Sequence, residues 1–201
     1  MGQLTRPLTN TARHLCIDMQ RLFSVDGPWP TPWMTRVLPV VEALVERAPR
    51  RTIFTRFIPP ERADQMPGMW QAYYTKWHEV TREKLDPALI ELMPSLKRFV
   101  PPAAVIDKAV YSAFSYGDLA ARLKTDRADT LIISGSETDV CVLASVLGAV
   151  DLGYRVIVVR DAVCSSSDES HDALLRLYHD RFAIQIEVAD ADEIIGCWTP
   201  A

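Results

Sequence analysis

The sequence predicts a three-layer α/β/α domain around a six-stranded parallel sheet. Three observations predict it. Apolar runs of strand length alternate with amphipathic segments of helix length. Two of those runs, Thr130–Ser134 and Arg155–Val159, are almost continuously apolar, as strands covered on both faces are. Six strands joined by helical crossovers then place helices on both sides of the sheet. A chain of 201 residues suits one core, since single cores hold up to roughly 250 residues. Residues 1–201 are therefore expected to form one domain, with residues 1–11 as a loose arm or an oligomer contact.

Each element follows from its local pattern. His14–Ile17 reads as a first short strand. Met34–Arg47 sets Val37, Val40, Val41, Leu44 and Val45 on one helical face, with Pro39 in the early turns or at a kink. Arg51–Thr55 is the second strand. Residues 58–82 are irregular, punctuated by Pro59, Pro60, Pro67 and Gly68, and carry a dense aromatic patch. Ala104–Asp107 is the third strand and Tyr116–Lys124 a short helix. Thr130–Ser134 runs through Gly135 into a helix from about Asp139 to Leu152, which Gly153 closes. The strand Arg155–Val159, a helix over Asp168–His179 and a strand over Ala183–Glu187 complete the order.

Composition narrows the function classes. Hydrophobic residues make up 48% of the chain and charged residues 24%, which excludes a disordered or fibrous protein. A net charge of −4 without a Lys/Arg run gives no reason to expect nucleic acid as a partner. No run approaches the ~20 apolar residues that cross a bilayer, so no membrane partner is expected. Met1–Arg6 lacks an apolar signal core, and Arg6 stands where a myristoylation pattern needs Ser or Thr; a cytoplasmic location is the expectation. Cys16, Cys141, Cys164 and Cys197 show neither a CxxC pair nor zinc spacing.

In open parallel sheets ligands bind beyond the carboxyl ends of the strands. Asp18 follows the first strand, Lys108 the third, and Cys141 lies in the turn after the fourth. An acid, an amine and a thiol on one rim make a candidate nucleophilic site. Cys141 has the strongest case, because unpaired N–H groups and the helix dipole in the first turn favour thiolate. The same amides could hold an oxyanion. Taken singly, each residue has a plainer reading: Cys141 as helix packing, Asp18 as a cap, Lys108 as a solvated strand end.

Three segments carry a resemblance. Leu131–Ala162, Asp18-Met19-Gln20 and Lys108-Ala-Val-Tyr-Ser-Ala-Phe114 are similar to the core signature, the D-x-Q motif and the K-x-x-x-S-A-F motif of the isochorismatase-like cysteine hydrolases, collinear over about residues 13–190. The resemblance implies the strand order 3-2-1-4-5-6 and a Cys–Asp–Lys triad of Cys141, Asp18 and Lys108. It further implies a cis peptide at Ser136–Glu137, aiming the Glu137 and Cys141 amides at the reacting oxygen. Having the cysteine favours attack on the C–N bond of a small amide, ureide or N-carbamoyl compound over vinyl-ether cleavage. The alternative is a non-catalytic small-molecule-binding or redox-sensing member of the same fold. Nicotinamidases carry an Asp and two His after the second strand; Thr55–Pro60 stands there instead, so no metal and no cofactor are expected. Relatives of this kind imply a homodimer or homotetramer.

Phe23 falls where the family presents an aromatic wall, and Trp70, Tyr73 and Trp77 are expected at the substrate pocket. The same spacing, with Tyr74, also fits one packed helix face. Arg56 is expected to pair with an Asp or Glu rather than meet a substrate carboxylate. Cys16 is expected in the core, and His171 and His179 at the surface.

Overall fold

The computed structural model describes residues 4–115 and 118–199. Six parallel strands run β1 (Ala12–Ile17), β2 (Thr52–Phe57), β3 (Ala104–Lys108), β4 (Thr130–Ser136), β5 (Arg155–Cys164) and β6 (Ile186–Ala189). Their order across the sheet is β3-β2-β1-β4-β5-β6. The principal helices are α1 (Met34–Arg47), α2 (Met69–Lys76), α3 (Pro94–Lys97), α4 (Leu119–Thr125), α5 (Leu143–Asp151), α6 (Asp168–Arg181) and α7 (Ala191–Cys197).

Side chains alternate between two buried clusters, as the strand period of two requires. Ile132, Ile157 and Val159 pack with α1 and α7. Leu131, Ile133, Val156 and Val158 pack on the other face with α4, α5 and α6. α1 spans the predicted residues and buries Met34, Val37, Val41, Leu44 and Val45; Pro39 sits on its exposed side. The short helix expected from Tyr116 begins outside the described residues, and its described part is α4.

Residues 4–11 are anchored rather than loose. The Leu4 and Thr5 amides donate to Glu193 (2.7 Å) and Glu187 (2.8 Å), Arg155 donates to the Arg6 carbonyl (2.8 Å), and Leu8 is buried. Glu187 itself pairs with Arg155 at 2.6 Å. The segment thus closes the β5–β6 edge. No helix among the described residues is long and apolar enough to cross a membrane.

His14, in the middle of β1, is fully buried between Thr52 (3.3 Å) and Ser134 (2.7 Å). Burial pulls its pKa from 6.5 down to about 3, so the folded protein holds it neutral. The unfolded chain takes up that proton near pH 6.5 and the native state does not. Stability from this residue is therefore complete above pH 6.5 and lost as pH falls toward 3. Urea unfolding at about pH 7 and about pH 4.5 should differ less in His14→Gln than in wild type, by about 2–3 kcal/mol at ~1.4 kcal/mol per unit. An unchanged difference would remove His14 as an acid-sensitive group.

Candidate active site

The register of the sheet brings the site together. Ile17 pairs with Gly135 and Phe57 with Lys108, so Asp18, Lys108 and the turn after β4 share the carboxyl edge. Lys108 Nζ lies 2.6 Å from Asp18 Oδ2, and neither side chain is exposed. The Cys141 thiol is within hydrogen-bonding reach of both. The three groups that the sequence placed on one rim thus touch. Lys108 also donates to the Val110 carbonyl at 3.1 Å and stands 5.0 Å from the centre of the Phe57 ring.

Asp18 takes a left-handed backbone conformation (φ 47°), which Asp tolerates better than most residues. Its carboxylate is held from behind. Thr55 Oγ1 donates to Asp18 Oδ1 at 2.6 Å and accepts from the Asp18 amide at 3.2 Å. That leaves Oδ2 for Lys108 and the thiol. Gln20 fixes the same segment: Nε2 donates to the carbonyls of Phe57 (3.1 Å) and Ile90 (2.7 Å), and Oε1 accepts from the Phe57 amide (2.7 Å). Gln20 therefore extends the sheet's hydrogen bonding with a side chain, and sets Phe57 beside the site. Thr55→Val keeps the shape and removes the hydrogen bond. It should leave the fold intact, cost roughly 1–3 kcal/mol because a buried carboxylate loses a partner, and lower kcat more than it raises KM. Unchanged kcat would show that Thr55 does not position Asp18.

The peptide bond between Ser136 and Glu137 is cis. Cys141 follows in a π-type turn, Thr138–Val142, which continues into α5. The Glu137 carbonyl accepts from the Val140 (3.1 Å) and Val142 (3.0 Å) amides, closing the turn around Cys141. The loop after β5 and the first turn of α6 brace it. Ser166 N–H donates to Glu137 Oε2 at 2.9 Å, Ser165 and Ser170 donate to the Asp139 carboxylate, and Thr138 Oγ1 meets His171 Nδ1 at 2.9 Å. His171 is thus a brace as well as a near-surface residue, while His179 is exposed.

Burial first, and then the Asp18 charge, push the Cys141 thiol well above its usual range; Lys108 pulls the other way and loses. The resting sulfur therefore carries its proton, and the helix terminus does not make it a thiolate as the sequence suggested. Burial works against the Lys108 charge, but the Asp18 carboxylate at 2.6 Å leads the interactions that more than offset it and keep the ammonium protonated. Cys16 and Cys164 are buried, with burial raising both thiols to about 12, so neither competes as a nucleophile.

A cavity of 260 Å³ opens over Cys141, lined by Phe23, Trp29, Phe57, Tyr73, Trp77, Tyr111, Glu137, Val140 and Cys141. Phe23, Tyr73 and Trp77 are where the sequence put them. Trp70 is not on the lining. It packs against Tyr111 at 4.7 Å and Tyr74 at 6.1 Å. Residues 70 and 74 share one face of α2 and point to the core, whereas 73 and 77 share the neighbouring face. Trp29, absent from the sequence reading, is the centre of the wall, within 6.1 Å of Phe23, Phe57, Tyr73 and Trp77. Arg56 makes the expected pair, bidentate to Asp107 (2.8 and 2.9 Å) with Glu91 beside it. No group of three or more His, Cys, Asp or Glu among the described residues is placed to hold a metal ion.

Known proteins share this fold. A family model described as the isochorismatase domain matches residues 12–190. A probable inactive nicotinamidase of Arabidopsis thaliana is 31% identical over 176 residues, 82% of this chain and 85% of that protein. Maleamate amidohydrolase of Pseudomonas putida is 37% identical over 71 residues, 35% of this chain and 33% of that enzyme. The first curated relatives are matched over about half their length or less. Among solved structures, a cysteine hydrolase from Pseudomonas syringae pv. phaseolicola superposes with a TM-score of 0.84 at 21% identity, covering 98% of this chain and 96% of that one.

Proposed function

The chain belongs to the isochorismatase family of hydrolases, and from that premise we propose that it cleaves a C–N bond of a small amide, ureide or N-carbamoyl compound through a thioester on Cys141. One observation carries the reading: the Cys141 thiol lines a cavity and interacts with the buried Asp18–Lys108 pair behind it. Maleamate amidohydrolase among its relatives supports the bond type.

Asp18 Oδ2 accepts the thiol proton as the sulfur adds to the substrate carbonyl carbon. The carbonyl electron pair moves to oxygen, which the Glu137 and Cys141 amides receive. When the carbonyl re-forms, the C–N bond breaks and the departing nitrogen takes the proton from Asp18. Water then attacks the thioester while Asp18 takes its proton, and the proton returns to the leaving sulfur. Lys108 offsets the negative charge that moves between oxygen and sulfur, and Thr55 keeps Asp18 aimed.

The reading is tested by ammonia release from a panel of amides, ureides and carbamoyl compounds. It predicts turnover of at least one of them by wild type and none by Cys141→Ala. A panel that stays silent, with Cys141 reversibly oxidised by peroxide, would favour a redox-sensing role.

A further inference from the structure

We infer that the cavity over Cys141 recognises substrates bearing an alkylammonium group and turns away those bearing a carboxylate, an inference that rests on the hydrolase reading for its use. The lining supplies what such a group needs. Trp29, Phe57, Tyr73, Trp77 and Tyr111 present aromatic rings to a space of 260 Å³, smaller than the roughly 300–1,000 Å³ of drug-sized pockets. Ring faces are negative and attract cations, quaternary ammonium groups above all.

Glu137 adds a formal negative charge to the same wall. Its Oε2 accepts the Ser166 amide at 2.9 Å, and among the described residues no other hydrogen bond or ion pair reaches its carboxylate. Its charge reaches both phenols of the wall: after burial, it adds to the forces that keep Tyr73 and Tyr111 protonated.

Two lysines stand just outside the lining, Lys76 at 5.5 Å from the centre of the Trp77 ring and Lys108 at 5.0 Å from that of Phe57, which leaves Trp29, Tyr73 and Tyr111 as the rings open to a ligand cation. None of the described lining residues is Arg or Lys. The Lys108 ammonium is unexposed and matched by Asp18 at 2.6 Å. Arg56, which the sequence offered as a receptor for a substrate carboxylate, is committed to Asp107 and Glu91. Asp18 offsets the Lys108 charge, although Lys108 still opposes Glu137 at Tyr111, and Glu137 is the one formally charged residue on the described lining. A cation gains from it and from the rings, whereas an anion meets repulsion without a partner.

Isothermal titration of the full chain with choline, its neutral tert-butyl isostere and the matching tert-butyl carboxylate tests this directly. Choline should bind at least about tenfold more tightly than the neutral compound, with the carboxylate weakest. Glu137→Gln keeps an acceptor for the Ser166 amide and should shrink the choline preference several-fold. Tyr111→Leu, which keeps apolar bulk and removes an open ring, should weaken choline. Choline should also slow iodoacetamide alkylation of Cys141 while sparing Cys197. Equal or weaker choline binding, or binding that survives both variants, overturns the inference while leaving the hydrolase reading in place. A Cys141 that resists alkylation although choline binds with the predicted preference overturns the hydrolase reading instead.

Discussion

Cys141→Ala is expected to lower amide hydrolysis by roughly a thousandfold or more, to the background of the assay. The size follows from the mechanism. In the proposed mechanism the sulfur is the atom that bonds to the substrate, and neighbouring thiols cannot replace it because Cys16 and Cys164 are sealed in the core. Cys141→Ser should fare little better. An alkoxide is far harder to form than a thiolate, and Asp18 is a weak base for that task. Neither change should unfold the protein. The thiol is small, and its neighbours Asp18 and Lys108 keep each other's charge matched. Circular dichroism and Tm close to wild type, with ammonia release abolished, is the expected pair of results. Measurable turnover by the alanine variant would mean that another group attacks the substrate.

Gly135→Ala is expected to destabilise the fold by more than about 4 kcal/mol, a large share of the ~5–15 kcal/mol that holds a domain together. Gly135 has φ of +113°, and a Cβ there would stand 2.0 Å from the Ile17 carbonyl oxygen and 2.7 Å from the Ile17 nitrogen. Those are backbone atoms of the neighbouring central strand, so no side-chain rotation relieves the collision. β1 and β4 would have to part where they deliver Asp18 and the Cys141 turn. Gly153→Ala provides the control. It also has positive φ (+82°), but nothing lies within 4 Å of its added Cβ. Its cost should stay near 1–2 kcal/mol, the conformational penalty alone. Urea denaturation of both variants separates strain from collision; a Gly135→Ala protein as stable as Gly153→Ala would show that the strands tolerate separation.

How much of this could be read from residues varies with the physics involved. α1 was legible from end to end, because a buried helical face repeats in sequence. β5 runs five residues past its expected end at Val159. Arg160 and Asp161 read as a loop, yet Arg160 pairs with Asp190 and Asp161 accepts the Ala191 amide, so both serve the start of α7 from the strand. The last strand begins at Ile186 because Phe182–Gln185 turns on itself, with the Gln185 amide donating to the Phe182 carbonyl. α7 was missed, although its acidic first turn after Asp190 is a fair start signal. That Asp18, Lys108 and Cys141 share one rim was legible from the strand ends, because a parallel sheet aligns them, whereas their grouping as a triad came from the family resemblance. Thr55 was not, because a threonine in a strand reads as β-propensity until its partner is known. Trp29 was hidden in a Gly-Pro-Trp-Pro stretch without periodicity, and Trp70 was misplaced because sequence spacing gives a helix face but not which face meets the cavity.

The central claim is that Asp18 takes the proton from a resting Cys141 thiol. The pH dependence of Cys141 alkylation by iodoacetamide, followed by peptide mass spectrometry with exposed Cys197 as the internal reference, measures it most directly. With an internal proton acceptor, the rate should stay nearly flat from about pH 6 to about pH 8, and Asp18→Asn should replace that plateau with a slope. A wild-type rate that climbs roughly tenfold per pH unit over the same range, as an unassisted thiol does, would contradict the account.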